Sequence, residues 1–182
     1  MEQTSQPNFN KFAIPVRMGL IITLIKIIIN TIGYQFFAGK WGMSMLFMVI
    51  SLAIMFVLLI QTGKMQRKAL GGYMDIKQAF QAIFVAALIV CVVSSIYDVI
   101  YTQYINPDMM DKIKESSIAA AERWGAPQET LDEMEKQFDE QAAGKLNIGK
   151  LFMSLLGNIV IYGIFSFICA AISKKNKPAH MA

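Results

Sequence analysis

The sequence predicts an all-α membrane protein: four transmembrane helices, with an extracytoplasmic helical hairpin between the third and the fourth. Three observations carry that expectation. Hydrophobic residues make up 55% of the 182 and charged ones only 16%, against about 25% charge in soluble domains. The apolar residues fall in four blocks, 16–37, 43–60, 79–101 and 148–172. Each block approaches the roughly 20 helical residues that cross a hydrocarbon layer of about 30 Å. The stretch between the last two blocks is acidic and has helical periodicity. A chain of this length has too little other sequence to wrap four such blocks inside a water-soluble fold.

The first block follows Lys11 and Arg17, as the apolar core of a signal peptide does. It is longer than such a core, and no small-x-small cleavage pattern follows it, so it is expected to be retained as a membrane span. Lipid-facing backbone must satisfy its own hydrogen bonds, so each block is expected to be a helix.

Orientation follows the basic residues. Lys11 and Arg17 precede the first span. Lys64, Arg67, Lys68 and Lys77 lie between the second and third, and Lys174, Lys175 and Lys177 follow the fourth. These regions share one side of a four-span chain, which the rule makes cytoplasmic. The expected division is a cytoplasmic segment 1–15, three spans within 16–101 broken by a polybasic cytoplasmic loop 61–78, an outer hairpin 102–147, a fourth span 148–172 and a basic cytoplasmic tail 173–182. The outer segment holds ten acidic residues against five basic ones.

Two helices are expected in that segment. Pro107 opens a pattern that runs through Met110, Ile113, Ser117, Ala120 and Trp124. Gly125 ends it and Pro127 opens the next, with Leu131, Met134, Phe138 and Ala142 as its stripe. Their acidic faces point to water. Their apolar faces are expected to lie on each other, on the membrane surface or on a membrane-protein partner, with a hairpin that caps the outer ends of the bundle as the simplest arrangement.

The net charge of +4 does not imply nucleic acid, because the basic residues sit at membrane edges without a recognition helix or aromatic platform. Membrane lipids are the expected partners. Lys64, Arg67 and Lys68 are candidate contacts for anionic headgroups, each basic residue contributing about 1 kcal/mol near such a surface.

No catalytic, cofactor-binding or metal-binding motif is present. The one histidine, His180, is in the polar tail. Cys91 and Cys169 are expected to differ in depth by roughly 13 Å, too far for a disulfide. What remains is a set of polar residues within the spans. Gly19, Thr23, Lys26, Asn30 and Gly33 share one face of the first helix; Ala87, Cys91, Ser94, Asp98 and Tyr101 share one face of the third; Lys150, Ser154 and Asn158 share one of the fourth. Small and polar residues on such stripes permit close packing and interhelical hydrogen bonds, so Lys26, Asn30, Asp98, Lys150 and Asn158 form the candidate intramembrane polar interior. Counting rise from the expected helix ends pairs Lys26 with Asn158 near mid-depth, and Asp98 with Lys150 at the outer rim.

Several short motifs accompany this layout: GGYMDIKQAF at residues 71–80, YINPD at 104–108, the acidic helical segment and the Lys-rich end. In these the chain resembles an uncharacterised bacterial inner-membrane family, catalogued as domain of unknown function 4199 and common in Bacteroidetes. Asp75 departs from the small residue usual in that pattern before the third helix. The resemblance implies a four-helix fold and a bacterial inner-membrane location, and supplies no catalytic residue.

Three function classes follow. The first is an accessory or scaffold membrane protein, with residues 102–147 as a docking surface or with self-association. The second is a small oligomeric transporter or proton-coupled carrier that uses Lys26, since ionisable residues at membrane depth are costly. The third is an enzyme acting on lipid-linked substrates, or a partner of one.

Overall fold

The computed structural model describes residues 12–37, 39–142 and 148–177. Six helices run through them: α1 (Ala13–Phe37), α2 (Trp41–Ala69), α3 (Ile76–Ile100), α4 (Met109–Arg123), α5 (Gln128–Ala142) and α6 (Ile148–Ser173). Four are long and apolar enough to cross a membrane, α1, α2, α6 and α3, the last extended by a π-helical turn at Tyr101–Ile105. The chain is an integral membrane protein built on four helical spans, with the shorter α4 and α5 between the third and fourth.

α1 divides into an exposed and a buried face. On α1, Leu20, Leu24, Ile28, Ile32 and Phe36 are exposed at steps of four, while Ile22 and Thr23 on the opposite side are buried. That arrangement suits a helix with lipid on one side and protein on the other.

The helices pack through small residues. Ala79, Ala82, Ala86 and Ala87 of α3 are all buried, and α3 packs closely with α1, α2 and α6. The backbones approach tightly at two glycines. A Cβ on Gly19 would meet the Ala86 carbonyl oxygen at 3.0 Å, and one on Gly63 would meet Ser173 Oγ at 2.6 Å. Close approach of this kind replaces the hydrophobic drive that lipid cannot supply. Ile22, Leu59, Ile83, Val90 and Cys169 fill the centre between these contacts.

The helix ends differ from the sequence expectation in ways local chemistry explains. α1 begins at Ala13 rather than at 16, because Pro15 falls in its first turn, where a missing N–H costs nothing. α2 is 29 residues long, about 43 Å at about 1.5 Å per residue. It continues through Lys64, Arg67 and Lys68, so these side chains ride on its last two turns instead of in the expected loop 61–78. Lys, Gln, Met and Arg end the hydrocarbon-compatible stretch without ending the helix, because all are good helix formers. The helix stops only at Gly71, whose φ of 83° suits a residue without Cβ. There the Gly72 amide donates to the Arg67 carbonyl and the Gly71 amide to that of Lys68.

Asp75, the departure from the family pattern, has a structural task. Its carboxylate accepts from the Gln78 amide at 2.7 Å while the Gln78 side chain accepts from the Asp75 amide at 3.2 Å. This capping box starts α3 and contributes about 1 kcal/mol.

The same end of the bundle is tied together by the chain itself. Met74 and Lys175 exchange backbone hydrogen bonds of 2.8 and 2.9 Å, and the Arg67 guanidinium donates to the Ser173 carbonyl at 3.0 Å. At the opposite end, α4 and α5 form a hairpin whose turn is closed by Gly125, φ 78°. Leu131 is buried within the hairpin, and Lys114 bridges Glu135 and Asp139 across it. Trp124 meets Trp41 edge-on with ring centroids 4.5 Å apart, which fastens the hairpin turn to the start of α2.

Candidate functional site: a cavity within the bundle

α6 does not follow the bundle along its whole length. Its buried face consists of Ser166, Cys169, Ala170 and Ser173, all in its last two turns. Ser154, expected in the interior, is exposed, and nothing lies within 4 Å of where a Cβ on Gly157 would be. α6 therefore stays against α3 but meets α2 at the end carrying Ser173 and separates from it toward the hairpin. α1 and α6 are not among the closely packed helix pairs.

The divergence leaves a cavity of about 440 Å³, within the roughly 300–1,000 Å³ typical of ligand pockets. α1 supplies Lys26, Asn30 and Tyr34, α2 supplies residues from Trp41 to Met55, and α6 supplies Ile161, Tyr162 and Phe165. α4 lies across its hairpin end with Ile113, Ser116 and Ser117. Its walls are mostly apolar, with Phe47, Met48, Leu52 and Met55 along α2.

Lys26 lies midway along α1, and its ammonium donates to the Tyr162 hydroxyl at 3.1 Å. The same nitrogen is 5.8 Å from the centre of the Tyr162 ring, so it meets the ring at its hydroxyl edge and not over its face. Tyr162 lies one helical turn beyond Asn158, the partner expected from depth. Asn158 is half-buried and does not line the cavity.

Asp98 reaches across to α1, and its expected pairing with Lys150 falls on a side chain outside the described residues. Its carboxylate accepts from Asn30 Nδ2 at 3.4 Å and from the Tyr34 hydroxyl at 3.1 Å, so it joins α3 to α1. Lys150 is on α6, and its side chain lies outside the described residues, as do Lys11 and His180. An aromatic group surrounds the Asp98 contact. Tyr101 is buried against Tyr34 and Tyr97, with centroids 5.2 and 5.7 Å away, and Tyr97 shares a hydrogen bond with Thr31.

The basic residues assigned to lipid divide into two kinds. Lys64 and Lys68 are exposed at the end of α2. Arg67 is partly buried and committed to the Ser173 carbonyl, where its charge also suits the C-terminal end of α6.

Sequence reasoning missed Tyr162, Tyr34 and, on α4, Ser116. Tyr162 had a readable signal, because Asn158, Tyr162, Ser166, Cys169 and Ser173 recur at three and four residue spacing along α6. On α4, Ile113 and Ser117 belong to the stripe expected to face inward, whereas Ser116 is off that stripe and had no signal.

The polar groups lining the cavity are one amine, one amide, an indole N–H and several hydroxyls. Among the described residues no group of histidine, cysteine and carboxylate side chains is placed to hold a metal, and both cysteines are free and buried.

Residues 17–175 match the model of the family described as Protein of unknown function (DUF4199). No curated protein and no solved structure matches the chain.

Proposed function

Taking as its premise that the chain belongs to the DUF4199 family, we propose that it is an accessory membrane protein that binds an amphiphilic ligand inside its helical bundle. The observation that carries this reading is the cavity of about 440 Å³ between α1, α2 and α6, with an amine in its wall and apolar side chains around it. The space is open on one side, where lining residues such as Met48 and Ile161 are exposed, so a chain-bearing molecule can enter it.

We further propose that the basic end is cytoplasmic and the hairpin extracytoplasmic, in a bacterial inner membrane. The supports are the distribution of lysine and arginine and the acidic surface of α4 and α5. In that orientation exposed Lys64 and Lys68 meet anionic headgroups, and the hairpin offers exposed Trp124 to a partner membrane protein or to a second copy.

The test is native mass spectrometry of protein purified in mild detergent. Wild type is expected to retain a lipid-sized adduct. Ser51→Trp, which places an indole in the cavity wall, is expected to lose it while keeping its helical circular dichroism and elution volume. Equal retention by the variant, or no adduct in wild type after incubation with bacterial lipid extract, would overturn the reading.

A further inference from the structure

We infer that the cavity ligand is an anion carried on an acyl chain, a carboxylate or phosphate headgroup held by Lys26 and Tyr162 with its chain along the α2 wall. This rests on the cavity reading above and assigns the charge and chemical class of what fills it.

The charge follows from Lys26. Its ammonium lies midway along a membrane span, where an unpaired charge is expensive. Its hydrogen-bond partner is the neutral Tyr162 hydroxyl. The ion pairs among the described residues are both in the hairpin, where Lys114 meets Glu135 and Asp139. An ammonium has three donors, and one is used, so an incoming anion finds both uncompensated charge and free N–H groups. Asp98 is not the missing partner among the described contacts: Asn30 Nδ2 and the Tyr34 hydroxyl both donate to its Oδ1, at 3.4 and 3.1 Å, and no ion pair joins it to Lys26.

The chain follows from the walls. Phe47, Met48, Leu52 and Met55 line the α2 side and Phe165 the α6 side. A small anion such as free phosphate would use none of these apolar surfaces, whereas an acyl chain packs along them. Charge at one wall and hydrocarbon along the other are the two requirements of an anionic amphiphile. Tyr162 is suited to the headgroup, since its hydroxyl can accept from Lys26 while donating to a ligand oxygen.

The experiment uses the full chain in nanodiscs of phosphatidylcholine, with binding measured calorimetrically for four probes: oleate, oleoyl lysophosphatidate, oleyl alcohol and inorganic phosphate. Wild type is expected to bind both chain-bearing anions at least about tenfold more tightly than oleyl alcohol, and inorganic phosphate not measurably; tenfold is about 1.4 kcal/mol. Lys26→Met should abolish the preference while retaining oleyl alcohol binding, Lys26→Arg should preserve it, and Tyr162→Phe should reduce it. Oleyl alcohol binding to wild type as tightly as oleate would overturn the anion assignment and leave the cavity reading standing. Inorganic phosphate binding as tightly as lysophosphatidate would overturn the acyl chain and identify a free anion as the ligand. Failure of all four probes would overturn both. The comparison among probes is made on wild type, so it decides the matter even if a variant does not fold.

Discussion

The Lys26 ammonium and the Tyr162 hydroxyl are 3.1 Å apart and join α1 to α6 across a gap that the helix backbones do not close. A single hydrogen bond of this kind stabilises by about 1–2 kcal/mol at most, and burying the charge costs as much or more.

Replacing Lys26 by Met in the ligand-free, detergent-solubilised protein is therefore expected to leave stability unchanged or to raise it by up to about 2 kcal/mol, since the desolvation cost disappears with the charge. Thermal unfolding followed by circular dichroism measures it. A loss greater than about 2 kcal/mol would show that the contact with Tyr162 is what holds the two helices in place.

Asp98 behaves in the opposite way, because its removal orphans two donors. Asp98→Ala leaves Asn30 Nδ2 and the Tyr34 hydroxyl without their acceptor, an expected loss of about 2–3 kcal/mol. Asp98→Asn keeps one acceptor oxygen and should lose less. Equal tolerance of both changes in the same unfolding measurement would mean that the α1–α3 contact stands on packing alone.

Two glycines on membrane spans predict contrasting outcomes. At Gly63 a Cβ would lie 2.6 Å from Ser173 Oγ and 2.8 Å from Ile83 Cδ1, so Gly63→Val must push α2 from α6 at an expected cost of about 1–3 kcal/mol. At Gly157 a Cβ meets nothing within 4 Å. Gly157→Ala should be silent or stabilising by up to about 1 kcal/mol, through helix propensity. If the two variants unfold at the same temperature, the convergence of α6 at the Ser173 end is misplaced.

The hairpin carries a titratable staple. Hydrogen bonds from Lys114 to Asp139 and then Glu135 hold its ammonium above the ordinary 10.5. A raised pKa in the folded state means that the contribution is complete below 10.5 and is lost as pH climbs through the folded value. Protease protection of α4 and α5 should thus decline on the alkaline side of that point in wild type. In Lys114→Met the protection should start lower and lack that step.

Orientation is tested by adding single cysteines. Cys91 and Cys169 are buried, so the unaltered protein should label poorly, whereas Met65 and Glu133 are exposed at opposite ends. A membrane-impermeant maleimide on intact cells should label Glu133→Cys and spare Met65→Cys until the membrane is opened. The reverse pattern would invert the proposed topology.

The sequence by itself determined what depends on short stretches of chain. Span number follows from block length and composition, which are local properties, and the hairpin follows from Pro107, Gly125 and Pro127 punctuating two periodic stripes. Even the inward face of α1 was readable, because Thr23, Lys26, Asn30 and Gly33 share one side of the helix while Leu20, Leu24 and Ile28 share another. Tertiary structure alone decided which polar groups meet. The error of a few residues in locating a helix end is about 3–6 Å of rise, and one turn is about 5.4 Å. Counting depth from helix ends therefore cannot distinguish Asn158 from Tyr162 as the partner of Lys26. The cavity is further from the sequence still. It exists because α6 meets α2 at Ser173 and separates from it by Gly157, and because α4 crosses the opening. Such gaps are set by the sum of contacts along several helices and are encoded in no single one of them.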